Sequence, residues 1–277
     1  MNIQQTLDFV QSEISGDQAC VDARYLLSHV LQKDFSWLKT WPEKRLSKEQ
    51  QAILNVMVTR RKNGEPIAYI TGEKEFWTLR LETNSSTLIP RPETELLVEK
   101  ALEFLVRYQC AKVLDLGTGT GAIALAIASE RKNDQVFASD CQPSAVELAQ
   151  RNARLNNLKN ITILQSNWYS NIDKIGFELI VSNPPYIAPG DPHLEQGDLI
   201  FEPVSALVSE DDGLGDIKII VSQAKNYLAK GGKLMIEHGF KQGEQVKQLL
   251  MRFGFDNIET FCDLSRLDRI TTGSMPC

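Results

Sequence analysis

The chain has 277 residues, 42% of them hydrophobic, and a formal net charge of −6. That length allows one large domain or two modest ones, and no apolar run reaches the length of a membrane span. The acidic balance argues against tight binding to a nucleic-acid backbone, which calls for a basic footprint.

The first fourteen residues mix Gln, Asp and Glu with apolar side chains and lack the basic start of a signal peptide. The cysteines Cys20, Cys110, Cys141, Cys262 and Cys277 are odd in number and scattered, with no C-x-x-C pair. Neither a disulfide framework nor a zinc site is expected. A reduced, cytoplasmic protein without bound metal is the reading that follows.

Residues 1–72 read as helices. Ile3, Leu7, Val10 and Ile14 recur at helical spacing, as do Ala23, Leu26, Leu27, Val30 and Leu31. Ser47 with Gln50 forms a capping-box pair that opens a third helix through Ile53, Leu54, Met57 and Val58, and Gly64-Glu65-Pro66 stops it. Arg60-Arg61-Lys62 is expected as a solvated helix end, where cations complement the dipole. His29 is expected as a packed or surface histidine, and the region as a recognition or docking module.

The run from Glu75 to Leu81 breaks the helical period and predicts a strand, half of a hairpin. Leu88 to Glu93, with Pro90 and Pro92, stiffens the approach to a helix expected to run to about Tyr108. The domain boundary is expected between about Gly72 and Pro92. From Ala111 onward strands and helices alternate, which signals a parallel, doubly wound α/β sheet covered on both faces. Strands are expected at Lys112–Leu116, Val136–Asp140, Ile161–Leu164, Glu178–Ser182 and Lys233–Glu237, with two more near Asn257–Cys262 and Arg269–Thr272. Helices are expected at Ala122–Arg131, Ser144–Leu155 and Asp216–Leu228. Such sheets bind ligands at the carboxyl ends of their strands, where the winding reverses.

Two of those strand ends carry chemistry. Asp115-Leu116-Gly117-Thr118-Gly119-Thr120-Gly121-Ala122 leaves the first strand and opens a helix, so the backbone can turn tightly and approach a ligand. Asp140, ending the second strand, is placed to hold ribose hydroxyls. A nucleoside cofactor is expected, and the loop fits a dinucleotide as well as S-adenosylmethionine. A nicotinamide enzyme would use the helix N-terminus for a pyrophosphate. S-adenosylmethionine instead brings an ammonium and a sulfonium, which an acidic residue such as Asp115 suits.

At the fourth strand end stands Asn183-Pro184-Pro185-Tyr186. Two prolines hold the peptide extended and leave the carbonyls of Asn183 and Pro184 as acceptors, beside the flat face of Tyr186. That set suits a planar group bearing NH2, an amide or a nucleobase.

The glycine loop and this tetrapeptide together resemble the class I S-adenosylmethionine-dependent methyltransferases that act on planar amino groups. Ile89-Pro90-Arg91-Pro92-Glu93-Thr94-Glu95, Phe201-Glu202-Pro203, Glu237-His238-Gly239 and Asp268-Arg269-Ile270 narrow the resemblance to the protein-(glutamine-N5) methyltransferases that modify peptide chain release factors. It covers nearly the whole chain. It implies a helical substrate-recognition domain (1–72), a β-hairpin linker (73–91) and a seven-stranded Rossmann-like methyltransferase domain (92–277). It also implies that Gly117, Thr118, Gly119, Thr120, Gly121, Asp140, Trp168 and Asn183 hold the cofactor. Asn183, Pro184, Pro185 and Tyr186 would hold the substrate glutamine, with Asn183, Pro184 and Tyr186 catalytic. Related enzymes commonly carry Asp where this chain has Asn167, whose oxygen can still accept from adenine's amine, without charge assistance. Arg91 and Glu202 are expected to shape the pocket, and no catalytic role is assigned to Glu237 or His238.

The implied substrates are class 1 release factors, with no direct nucleic-acid partner. The alternatives are an adenine-N6 or guanine-N2 nucleic-acid methyltransferase, a nicotinamide oxidoreductase, and a cofactor-bound scaffold. The first would call for a basic groove, the second rests on the glycine loop alone, and a scaffold has no use for the tetrapeptide.

Overall fold

The computed structural model describes residues 1–14 and 16–276; Cys277, counted above, lies outside them. It forms two compact units, residues 1–73 with 195–201, and residues 74–194 with 202–277.

The first unit contains α1 (Ile3–Glu13), α2 (Ala19–Leu31), α3 (Phe35–Thr40), α4 (Lys48–Lys62) and α5 (Ile67–Thr71). Capping boxes start two of them: Asn2 with Gln5 for α1, and Ser47 with Gln50 for α4, so two orphan N–H groups are satisfied reciprocally at each. Ile3, Val10, Leu26, Leu27, Leu38, Leu54, Met57 and Val58 pack as one buried cluster. The helices α3 and α5 have six and five residues, too few for an apolar period to repeat, and the sequence pattern does not reveal them.

The basic end of α4 is paired rather than free. Arg60 binds Glu65, Lys62 binds Glu13, and Arg61 donates to the buried Asp22 at 2.7 Å. Arg61 also lies 3.7 Å from Asp198, and the ring of Phe201 covers Gly64, where an added Cβ would stand 3.3 Å from it. These contacts draw residues 195–201, distant in sequence, into the first unit. His29 is half-buried with Nδ1 3.1 Å from Glu73.

The second unit opens with a two-stranded hairpin, β1 (Glu73–Phe76) and β2 (Leu79–Glu82). Phe76, Leu79 and Leu81 bury their side chains in the core of this unit. A 3-10 turn, Pro92–Thr94, leads into α6 (Glu95–Leu105). Then follow β3 (Lys112–Leu116), α7 (Ala122–Glu130), β4 (Gln135–Asp140), α8 (Pro143–Leu155), β5 (Ile161–Gln165) and β6 (Phe177–Ser182). After a run of short 3-10 turns come α9 (Glu210–Gly213), α10 (Gly215–Ala224), β7 (Leu228–Glu237), α11 (Gly243–Arg252), β8 (Asp256–Cys262) and β9 (Asp268–Ser274).

The strands form a seven-stranded sheet in the order β5-β4-β3-β6-β7-β9-β8. It is parallel from β5 to β7, and β9 pairs antiparallel with both its neighbours. Alternate residues serve opposite faces, as the pleat requires. Val113, Leu179, Val181 and Met235 join α6 and α7 in one buried cluster, while Leu114, Leu116, Ile180, Leu234 and Ile236 join α10 and α11 in another. The doubly wound expectation is met. Several boundaries differ by one to three residues, and two by more: α10 stops at Ala224, and β7 starts at Leu228 rather than Lys233, its extra length passing through Gly231-Gly232. A Cβ at Gly232 would lie 2.8 Å from the Phe177 carbonyl, so only glycine lets β7 approach β6 there.

The winding reverses between β3 and β6, which are adjacent and followed by helices on opposite faces. Their carboxyl ends are therefore the expected place for a ligand.

Candidate active site

At this switch point a cavity is lined by Gly117, Thr118, Gly119 and Thr120 from the loop after β3, and by Asp140 at the end of β4. Trp168 and Asn167 follow β5 on the same wall, and Asn183 and Pro185 follow β6. Most of the residues expected at the site thus face one space. Gly121, Pro184 and Tyr186 do not line it.

The loop is held from behind. The N–H groups of Gly117 and Thr118 both donate to the Ser139 carbonyl at 2.9 Å. Gly121 caps α7 with φ +88, and a Cβ there would lie 2.9 Å from Leu125 Cδ1 and 3.3 Å from Ala149. Its part is thus to let the loop enter α7 close to α8, not to face a ligand. Asn152 of α8, fully buried, donates to the Thr120 and Glu82 carbonyls and accepts from the Glu82 N–H, tying the hairpin to the loop.

Asp115 sits beneath the loop rather than on the cavity wall. It is completely buried, accepts the Thr118 hydroxyl at 2.7 Å, and burial pushes its carboxyl up to about 7. The expectation that it faces a cationic cofactor is corrected accordingly; it supports the loop. Asp140 is the acid that reaches the cavity. Its two oxygens accept the Gly119 and Gln142 N–H groups, each at 2.9 Å, which fixes the carboxylate at the strand end.

Trp168 has φ +49 in a tight turn closed by Ser166, whose hydroxyl donates to the Trp168 carbonyl at 2.7 Å. The turn lays the indole against Gly117, where an added Cβ would stand 3.3 Å from the ring. Arg91 is the one basic side chain on the wall among the described residues, and it donates to Glu202 at 2.7 Å, whose side chain is fully buried. The wall also includes Thr87, Ile123, Ala145, Ser205 and Asp216, which no motif in the sequence marks.

Behind Asn183 lies a polar cluster that sequence reasoning does not assemble. In the parallel register Ser182 of β6 faces Ile236 of β7, so the next residues, Asn183 just past β6 and Glu237 at the end of β7, come side by side. Asn183 Nδ2 donates to Thr94 Oγ1 at 3.3 Å. The Glu237 carboxyl lies near Thr94, Asn183 and Arg269, and its Oε2 has no hydrogen-bond partner among the described residues. It is completely buried, and burial raises it to about 7 despite those neighbours. Tyr186 turns toward the α10–α11 core instead of the cavity, and burial and the Glu237 charge raise its phenol further above its ordinary range. His238 is buried and structural: Nδ1 donates to the Gly239 carbonyl at 3.0 Å, Nε2 accepts the Thr271 hydroxyl at 2.7 Å, and burial lowers its affinity for a proton.

A carboxylate fixed at the β4 end, an indole face, and loop glycines against open space fit an adenosyl group. The Methyltransferase small domain model matches residues 92–213, and the PrmC N-terminal domain model matches residues 10–72. A solved methyltransferase from Pyrococcus furiosus shares the fold, with a TM-score of 0.53 at 17% identity over 83% of this chain and 100% of its own. Fold and site define an S-adenosylmethionine-dependent methyltransferase. The release factor glutamine methyltransferase of Escherichia coli (strain K12) is 50% identical over 252 residues, 91% of each chain, and that of Aliivibrio fischeri is 50% identical over 261 residues, 93% of this chain and 91% of its own. The chain belongs to the release factor glutamine methyltransferase family. Among the described residues no helix is long and apolar enough to cross a membrane.

Proposed function

We propose that the protein transfers a methyl group from S-adenosylmethionine to the side-chain nitrogen (N5) of the glutamine in the Gly-Gly-Gln motif of class 1 peptide chain release factors, in the cytoplasm. The observation that carries this reading is the sharing of one cavity by Asn183 and Pro185 with the glycine loop and Asp140. A planar NH2 group is thereby brought beside a nucleoside cofactor, and membership of the family selects a protein glutamine over a base.

Gly117–Thr120 and Asp140 would hold the cofactor, with Trp168 and Asn167 at its adenine end. When bound, S-adenosylmethionine supplies an electrophilic methyl group. The residues of this chain supply orientation and charge stabilisation. An amide nitrogen is a poor nucleophile because its lone pair is delocalised into the carbonyl. Asn183 Oδ1 would accept one N–H and aim the nitrogen, with Pro184, off the cavity wall, holding the peptide extended behind it. This bond strengthens as positive charge develops on nitrogen, so it favours the transition state over the ground state. Tyr186, packed behind the tetrapeptide, stiffens it and is not a lid on the amide plane. The methylated nitrogen then releases its acidified proton to water.

The test is transfer of label from the cofactor to purified release factor with the motif glutamine intact or replaced. Labelling of the intact factor alone is expected; labelling that survives replacement, or that prefers DNA or RNA, overturns the reading.

A further inference from the structure

We propose that Gln242 is a positioning residue for methyl transfer: it latches the left-handed turn Asp211–Gly213 onto the Tyr186 carbonyl and so holds Asn183 to Tyr186 in place at the cavity. The inference deepens the functional reading above and rests on it.

The tetrapeptide has few joints. Pro184 and Pro185 fix their own φ, so a shift at Tyr186 is carried through to Asn183 rather than absorbed between them. Its entry is pinned by the sheet. Ser182 lies in register between Leu116 and Ile236, and its hydroxyl donates to the Leu116 carbonyl at 2.7 Å. Its exit is pinned by residues 205–216. The Ile187 N–H donates to the Leu207 carbonyl at 3.0 Å, and the Ser209 N–H to the Ile187 carbonyl at 2.9 Å. Ser205, Ala206 and Asp216 of the same stretch line the cavity.

Within that stretch Asp211, Asp212 and Gly213 follow one another at φ +60, +56 and +82. Two consecutive non-glycine residues in the left-handed region are strained and persist only where their surroundings hold them. Lys218 pairs with the Asp211 carboxylate, and Gln242 supplies the second hold. Its Oε1 accepts the Gly239 N–H at 2.9 Å, which settles the two ends of the amide. Its Nε2 donates to the Tyr186 carbonyl at 3.1 Å and to the Asp212 carbonyl at 3.3 Å, one hydrogen for each. Gly213 is packed against the same two groups. A Cβ there would run into the Tyr186 carbonyl and stand 2.8 Å from Gln242 Nε2. Gln242 stands at the start of α11 and does not line the cavity, so it acts through the tetrapeptide and touches no substrate atom.

The experiment compares wild type, Gln242→Glu and Gln242→Met. Methyl transfer to release factor gives kcat and KM, and calorimetry gives affinity for S-adenosylhomocysteine. Thermal melting reports folding, and hydrogen exchange reports the Ile187 and Ser209 amides. Glutamate keeps the shape and the acceptor for Gly239 but sets a carboxylate against two carbonyls, whereas methionine keeps the volume and makes none of the bonds. Both variants are expected to lower kcat, Gln242→Met by about tenfold and Gln242→Glu by more, since a misplacement of about 1 Å can cost a hundredfold. KM for the factor and affinity for S-adenosylhomocysteine are expected to change less than about threefold. Exchange at Ile187 and Ser209 is expected to quicken by about tenfold or more in both, with the β3 amides unchanged. Packing alone predicts the reverse order of the two variants, because glutamate copies the glutamine shape.

A Gln242→Glu kcat within about twofold of wild type, or no lower than that of Gln242→Met, overturns the proposal, and so does unchanged exchange at Ile187 and Ser209. If Gln242→Glu melts below the assay temperature, Gln242→Met decides it by the same twofold and exchange criteria. An inactive wild type overturns the functional reading and the positioning role with it, whereas an active wild type with indifferent variants overturns the positioning role alone.

Discussion

Asn183 and Asp140 divide the work at the strand ends, and their loss should be felt in different measurements. Asn183→Ala removes an acceptor aimed at the reacting nitrogen; turnover should fall by about a hundredfold, read by labelled-methyl transfer, with S-adenosylhomocysteine affinity largely kept. Asp140→Ala should instead weaken that affinity by roughly tenfold to a hundredfold in calorimetry, since charge-assisted bonds to hydroxyls are worth about 1.5–3 kcal/mol. Asp115 has a different signature. Its folded-state carboxyl lies near 7, against an ordinary 3.8, because it is wholly buried. The folded protein therefore holds a proton on Asp115 that the unfolded chain has given up. Stability from this group is full below about 3.8 and declines as pH rises to about 7, then levels. Replacing it with Asn should flatten that decline, so the melting-temperature difference between wild type and Asp115→Asn should grow less favourable to wild type as pH rises across this window.

Elements, more than single residues, decide how much of the structure is legible in the sequence. The five parallel strands are legible because each is a short apolar run closed by a polar or glycine-rich turn. The capping box at Ser47 is legible because its signal is local. The polar cluster behind Asn183 is not, because Thr94 and Glu237 lie 89 and 54 positions from it by number, and only the fold brings the turn before α6 and the end of β7 to it. The turns between Pro192 and Ala206 are equally silent, since 3-10 segments of three to five residues carry no apolar period. In the helical unit the basic end of α4 reads as solvated charge, yet Arg61 serves Asp22, which is 7% exposed. Arg61→Ala leaves that carboxylate buried without its partner. A loss of roughly 3 kcal/mol is expected in urea denaturation, whereas Lys62→Ala, whose side chain is 46% exposed, should cost under about 1 kcal/mol.

At the scale of the whole molecule, an acidic chain carries a cavity wall with a single basic residue among those described. A polyanion gains little by lying along such a surface. Excess duplex DNA or RNA in the release-factor assay is therefore expected to leave the rate unchanged, and strong competition would point back to a nucleic-acid substrate. The division of the chain has a consequence in time as well as space. The helical unit takes residues 195–201 as its last piece, with Phe201 over Gly64 and Asp198 near Arg61. During synthesis the first 73 residues emerge long before that piece exists. At about 5–20 residues per second, several seconds pass before it leaves the ribosome. For that interval the end of α4 that will carry Phe201 stands open, so the module at the start of the chain is completed only after the strand that bears Asn183 has been made.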